Sequence, residues 1–454
     1  MSSVKIKWGK ETLEIAIDLE STVQALKELI KEKTGIPIEK QKIMGLKPNV
    51  PDTTSLSKCG LAPGKTLMLI GSADTTGIPK VVAVKTEADD AGHSDTSPTS
   101  NGLVNFGNTC YMNSALEMVR SIPEIPEAFA DTPSTNPLVK SYCELLKGLN
   151  STKNAVTPLQ FWTTLCQTNA TFMERDDHGR LMQQDAQEAL SVVLQEVSGA
   201  LPPKYTQLLK GTLSQTMKCT EEGGEPACTT TSPFTMLSCN ITGEVQTLEA
   251  GLQQGFNEEF NARSDMLGRE AKFSKVSRID AFPEYVFVHM IRFSWRNDIQ
   301  KKAKILKPIS FPLILDLTLV CTDELKEKAK PAREAVKERR DKEIEKRKRG
   351  RNAEDEKQPE EGQPNDVPPE ILHNESGYYE LCGVISHKGR SADGGHYVYW
   401  GKKANRWLIY DDEHVAEVSE EDVLRLRGIG EAHIAYVLLY RSRDPITKRP
   451  VLPL

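Results

Sequence analysis

Apolar and polar positions change period several times along the 454 residues, and each change marks an element. Val4, Ile6 and Trp8 alternate with Lys5 and Lys7, the period of a half-buried strand. Leu13, Ile15 and Ile17 repeat it after Gly9-Lys10, which predicts a hairpin. Val23, Leu26 and Ile30 form a helical stripe behind the candidate N-cap Thr22, and Gly35 and Pro37 end it. With short apolar segments at Ile43-Met44 and Leu67 to Ile70, residues 1–73 read β-β-α-β-β, a β-grasp layout. Residues 74–100 are small and polar without a sustained period and read as a flexible tether.

A second, larger pattern fills 101–443. It opens on GLVNFGNTCYMNSALEMV, where a Gly/Asn-rich turn runs into Met112, Ala115, Leu116 and Val119 at i, i+3, i+4, i+7. That spacing predicts a helix with one buried face, stopped by Pro123. Helical stripes recur from Leu138 to Leu149, at Phe161 and Leu165, and from Ala186 to Val197. From Gly211 onward the texture is that of strands, with the buried run Tyr285–Phe293 as a central one and Phe311–Leu319 and Tyr378–Ser386 as others. An insert at about 323–375 interrupts them. Of the 35 residues from Asp323 to Lys357, 25 are charged with both signs mixed, so a solvated, partly helical and then disordered segment is expected. Residues 444–454 form a tail. The fold class is α+β.

Composition narrows the function. The net charge of −6 gives no reason to expect nucleic acid as a partner, no apolar run is long enough for a membrane span, and no apolar leader opens the chain. Nine irregularly spaced cysteines do not form a disulfide framework and suit a reducing compartment, the cytoplasm or the nucleus. Residues 1–73 hold eleven lysines and no arginine against eight acidic residues, a net +3, which leaves −9 on the remainder.

Two distant stretches carry the chemistry. Cys110 falls at a helix start, where unpaired N–H groups and the helix dipole favour negative charge on sulfur. His396 opens a strand that should pair with Trp407–Tyr410, and Asp411 leaves the end of that second strand. The hairpin therefore brings an imidazole beside a carboxylate, the orienting arrangement a thiol nucleophile requires. Gln183, Gln184, Asp185 and Glu188 gather at another helix start, where capping is the plainest role. The Gly/polar segments 387–395 and 294–300 are candidate lids.

KTGIPIEKQKIM and LAPGKTLMLI resemble the corresponding stretches of ubiquitin. The last strand runs into Gly71-Ser72-Ala73 without a terminal Gly-Gly, so the resemblance implies a docking module rather than a conjugated modifier, with Met44 and Ile70 on its recognition face. GLVNFGNTCYMNSAL, QQDAQE, GGHYVYW and IYDDEHV are similar, in that order, to the motifs of the ubiquitin-specific proteases. These are papain-like cysteine proteases with thumb, palm and fingers. The resemblance implies that Cys110 is the nucleophile, His396 the general base and Asp411 its orienter. Asn105 would stabilise the oxyanion alongside the Cys110 N–H, and Gln184 and Asp185 would lie near the substrate tail. It further implies hydrolysis after the C-terminal Gly of ubiquitin, with ubiquitin and ubiquitinated proteins as partners. The N-terminal module would dock on the 26S proteasome regulatory particle. Many members bind zinc through two CxxC pairs. Here Cys219, Cys228 and Cys239 are separated by eight and ten residues, so no metal and no cofactor is expected. A mainly non-catalytic proteasome regulator and ubiquitin sensor is the competing reading, and a general peptidase a third.

Overall fold

The computed structural model describes residues 2–8, 11–17, 21–34, 38, 42–44, 54–59, 66–70, 101–130, 133–176, 178–296, 301–350, 374–389, 394–403, 406–428 and 433–442. The tether and the C-terminal tail expected from the sequence lie outside them, as does the insert from 351 to 373. The chain divides into two compact units, Met1–Lys80 and Val81–Leu454.

In the first unit β1 (Ser2–Trp8) and β2 (Glu11–Ile17) form the expected hairpin, followed by α1 (Val23–Thr34), β3 (Lys42–Met44) and β4 (Thr66–Ile70). The sheet order is β2-β1-β4-β3, with β1 and β4 parallel. Val4, Ile6, Leu26, Ile30 and Leu67 are fully buried between sheet and helix. Met44 pairs with Met68 and Ile70 with Lys42, so Met44 and Ile70 occupy positions on one face, alternate to that of Leu67.

The second unit sets a helical lobe against a long sheet. The lobe holds α2 (Cys110–Arg120), α3 (Glu124–Ala128), α4 (Pro137–Ser151), α5 (Leu159–Thr168), α6 (Ala186–Ala200) and α7 (Thr206–Leu209). A four-stranded antiparallel sheet, the fingers, joins β5 (Gly211–Cys219), β6 (Cys228–Phe234), β8 (Asn257–Ser264) and β9 (Arg269–Ala281) in the order β6-β5-β9-β8. The palm sheet runs β17-β16-β15-β14-β18-β10-β7. Its strands are β7 (Met236–Asn240), β10 (Tyr285–Ile291), β14 (Tyr378–Lys388), β15 (His396–Lys403), β16 (Arg406–Asp411), β17 (His414–Val418) and β18 (Ile434–Ser442). A short strand, β13 (Ile314–Asp316), pairs with β14, and α8 (Leu248–Gly255) packs on β7. One hydrophobic core joins α2, α4, α5 and α6 to Tyr285, Phe287, Ile385, Tyr397, Tyr399, Tyr436, Val437 and Leu439 of the palm, and Cys110 belongs to it. Each fully buried Leu or Val there contributes about 1.5–3 kcal/mol.

Three expectations change on contact with the structure. Helix α2 is buried on every side from Cys110 to Val119, not along one stripe, because the lobe covers one side and the palm the other. Its polar residues Asn113, Ser114 and Glu117 are buried: Asn113 donates to Asp412, while Ser114 and Glu117 bond within α2, to Tyr111 O and Arg120. Of the segment 294–300, expected as a lid loop, the described residues 294–296 belong to a strand, β11 (Phe293–Arg296), which pairs with β12 (Lys301–Lys304), and 297–300 lie outside the described residues. The charged insert begins as one 28-residue helix, α9 (Asp323–Gly350), about 42 Å long. It is not wholly solvated: Ala329 is buried, and Arg333 holds Asp316 through two hydrogen bonds (3.0 and 2.7 Å) while stacking over Tyr378.

Candidate active site

The turn before α2 is built by side chains that bond to its own backbone. Oδ1 of Asn105 accepts from Gly107 N (3.0 Å), Thr109 N (3.2 Å) and Thr109 Oγ1 (3.2 Å). Gly107 and Asn108 take positive φ (119° and 53°), the conformation Gly and Asn tolerate best. Asn108 ties the turn to Leu181 O at 2.8 Å. The chain then enters α2 at Cys110, whose own N–H, at the first helical position, has no acceptor inside the helix.

The opposite wall comes from the far end of the sequence. His396 and Asp411 stand at one end of the β15–β16 hairpin, as its register requires, with Nε2 of His396 2.6 Å from Oδ1 of Asp411. That contact leaves Nδ1 for the thiol, and a hydrogen bond with Cys110 helps hold the ring protonated. Burial pulls the His396 pKa down, but the Asp411 hydrogen bond and Cys110 outweigh it and raise the pKa to about 10. Burial pushes Asp411 up, and His396 overcomes that and holds the carboxyl below its usual range. The sulfur is shielded (Cys110 is 2% exposed), whereas the His396 side chain is 36% exposed and open to water.

Asp412 joins the two walls. Its carboxylate accepts from Nδ2 of Asn105 (2.9 Å) and Nδ2 of Asn113 (2.8 Å), and its carbonyl accepts from Leu103 N (2.9 Å). The approach is so close that a Cβ at Gly102 would run into the Asp412 carbonyl oxygen. Burial raises the Asp412 pKa despite the two amides, so it is not a second copy of Asp411. His396, Asp411 and Asp412 form the one metal-like cluster of ligand atoms among the described residues. Its carboxylates are already engaged by His396 and the two asparagines, so the group is self-satisfied. Cys219 ends β5, Cys228 opens β6 and Cys239 is buried in the palm strand β7, on another sheet.

A thiol on a helix N-terminus, facing an imidazole locked to a carboxylate, is the equipment of a cysteine hydrolase. Residues 101–440 match the family model described as ubiquitin carboxyl-terminal hydrolase, and residues 4–74 match that of the ubiquitin family. The chain belongs to the ubiquitin carboxyl-terminal hydrolase family. It is similar along its whole length to ubiquitin carboxyl-terminal hydrolase 6 of Schizosaccharomyces pombe, at 35% identity over 98% of this chain and 99% of the relative. The likeness to ubiquitin carboxyl-terminal hydrolase 6 of Arabidopsis thaliana is 32% over 98% and 99%. That to ubiquitin carboxyl-terminal hydrolase 14 of Caenorhabditis elegans is 30% over 100% and 96%. The hydrolase is therefore a cysteine-type deubiquitinase with an N-terminal ubiquitin-like domain.

The remaining positions singled out by sequence fall in different places around this hydrolase site. Asp185 caps α6 by accepting from Gln187 N (2.8 Å) and also accepts from the Tyr436 hydroxyl (2.8 and 2.6 Å to its two oxygens). Gln184 turns away, buried, onto Thr171 O at 3.0 Å. The glutamine that reaches the nucleophile is its neighbour Gln183, whose Nε2 lies 3.2 Å from Cys110 Sγ. Tyr397 N approaches the same sulfur at 3.5 Å. One amide hydrogen of Asn105 goes to Asp412, which leaves the other for the cleft.

Two histidines that the spacing gave no catalytic pairing sit beside the site. His387, buried on β14, meets Lys304: Nζ is 2.9 Å from its Nδ1, 2.8 Å from its carbonyl and 3.1 Å from that of Gly389. Burial and then the Lys304 charge push His387 down to about 3, and burial with the Arg292 charge lowers Lys304 to about 7. His433, buried against Ser386 (3.1 Å), is pushed to about 3 by burial and the nearby His396 charge. Of segment 387–395, the described part is the end of β14 and three glycines, and Gly389 and Gly395 (φ 136° and 125°) close against each other just before His396.

Proposed function

We propose that this deubiquitinase uses Cys110, His396 and Asp411 to release ubiquitin from proteins held at the proteasome. The observation that carries the reading is the 2.6 Å His396–Asp411 contact beside a buried thiol at a helix N-terminus. Asp411 holds the imidazole with Nδ1 towards sulfur. The thiolate attacks the carbonyl of the terminal ubiquitin Gly, and the charge passes to the carbonyl oxygen. His396 then gives its proton to the departing lysine amine. In the second half-reaction His396 takes a proton from water, which hydrolyses the thioester and restores the thiol. Asp185 serves the substrate tail, Gln184 braces it from its buried bond to Thr171, and the Asn105 amide and Cys110 N–H serve the oxyanion.

The proteasome assignment rests on the ubiquitin-like domain, whose last strand lacks a conjugating Gly-Gly, and on Met44 and Ile70 sharing one face of its sheet. A cytoplasmic or nuclear site of action suits nine unpaired cysteines. The test is hydrolysis of a ubiquitin–fluorophore amide and of free peptides, with and without proteasome regulatory particle. Wild type should cleave only the ubiquitin substrate, faster with the particle, and Cys110→Ser should abolish cleavage. Removal of residues 1–73 should abolish the acceleration alone. Equal cleavage of ordinary peptides, or acceleration that survives the truncation, would overturn the respective half of the reading.

A further inference from the structure

The geometry points to Gln183 as a further catalytic residue: its side-chain amide is an oxyanion donor for the acyl-transfer step. Three features of the site lead there. First, the Gln183 amide nitrogen lies 3.2 Å from Cys110 Sγ, so it already touches the atom that attacks. In a tetrahedral adduct the carbonyl oxygen sits on the carbon that sulfur has joined, so a donor that already touches sulfur lies in the neighbourhood where that oxygen gains its charge. Second, the Asn105 amide, the side chain expected to carry this role alongside the Cys110 N–H, is half committed: Nδ2 donates to Asp412 at 2.9 Å, and Oδ1 is taken up by the turn. Third, Gln183 is held at the last turn before α6 by its neighbours on both sides. Gln184 is anchored to Thr171 O at 3.0 Å, and Asp185 is fixed by the helix cap and by Tyr436. The backbone on which Gln183 sits is therefore set before substrate arrives, which is what an electrostatic donor needs.

Sulfur donates its electron pair to the terminal Gly carbonyl carbon and the S–C bond forms, while the carbonyl π pair moves onto oxygen. The Gln183 Nε2–H and the Cys110 N–H both donate to that oxyanion. On collapse the C=O re-forms, the C–N bond breaks, and the amine leaves with the proton from His396. In the resting enzyme the same Gln183 N–H rests on sulfur, so no donor has to be desolvated during the reaction.

This assignment rests on the reading of Cys110 as nucleophile towards ubiquitin. Its test compares full-length wild type, Gln183→Met and Gln183→Glu. Three quantities are measured: kcat and KM on a ubiquitin–fluorophore amide, affinity for ubiquitin aldehyde (whose adduct carries the tetrahedral oxygen), and affinity of a Cys110→Ala background for free ubiquitin. Gln183→Met, similar in length but without a donor, should lower kcat about 100-fold and weaken the aldehyde adduct in parallel. KM and the free-ubiquitin affinity should stay within about threefold. Gln183→Glu should lose as much or more, since a carboxylate repels the oxyanion, and it decides the matter if the Met variant fails to fold. An unchanged kcat overturns the assignment, as does a rise in KM matched by weaker binding of free ubiquitin, which would make Gln183 a tail-binding residue only. If wild type itself were inert towards the ubiquitin amide, the substrate reading would fall and this assignment with it.

Discussion

His396 and His387 stand one register step apart on neighbouring strands, His396 opposite Lys388 and His387 opposite Tyr397, and burial acts on both in the same direction. They end at opposite charge states. His396 meets the Asp411 carboxylate and a thiol and is raised to about 10, while His387 meets the Lys304 ammonium and aromatic rings and is pushed to about 3. The pair teaches that the charged group placed against a ring decides whether the effect of burial is reversed, as Asp411 does for His396, or reinforced, as Lys304 does for His387. Position on the strand does not distinguish the two, while burial does so only in degree: His387 is fully buried and the His396 side chain is 36% exposed.

The comparison breaks most sharply if the carboxylate is neutralised. Asp411→Asn should drop kcat/KM by about 100-fold or more, because the ring loses both its orienter and its proton. The imidazole resonances of His396 should then titrate well below 10 in an NMR pH series. A variant within threefold of wild type would remove Asp411 from the mechanism. The mirror experiment takes the cation from His387. Lys304→Met should raise the His387 pKa above 3, visible in the same series, and lower kcat/KM several-fold by loosening the carbonyls of His387 and Gly389 behind His396. An unmoved His387 would show that burial alone sets its state.

The smallest effect lies in stability against pH. The folded pKa of His396 is raised, so its stabilisation is complete below about 6.5 and is lost as pH rises through about 10. The folded pKa values of His387 and His433 are depressed to about 3, so between about 6.5 and 3 the unfolded chain binds protons that the native chain refuses, and stability falls with falling pH. Thermal midpoints should therefore decline on both sides of a plateau near pH 6.5. His433→Gln should flatten the acid side and leave the alkaline side as it was. An acid limb identical to wild type would place the losses elsewhere.

Much of this was legible in the chain. The start of α2, the β15–β16 hairpin and the β-β-α-β-β succession of elements in the ubiquitin-like domain follow from local periods and turns, which the tertiary structure did not override. What escaped depends on contacts between distant segments. Gln183 and Gln184 look alike in sequence, and only the direction in which the backbone enters α6 decides which reaches sulfur. Lys304 lies 83 residues from His387, and no spacing rule joins them. The apolar stripe on α2 marks one face because part of its buried surface is polar, as at Asn113, whose partner Asp412 comes from a distant segment. The same holds for α9, where Arg333 finds Asp316 and Tyr378 from either side of the insert.

The bolt formed by Asp412 has a consequence in time. Asn105 and Asp412 are 307 residues apart, and Cys110 lies near the first of them. A ribosome adds about 5–20 residues per second, so the nucleophile is made roughly 15–60 s before its base, and the long-range closure must still follow. Throughout that interval the nascent chain carries Cys110 without His396, Asp411 or the carboxylate that fixes its turn. The protease is switched on by the completion of its own synthesis, and a chain that stalls before β15 is born inactive.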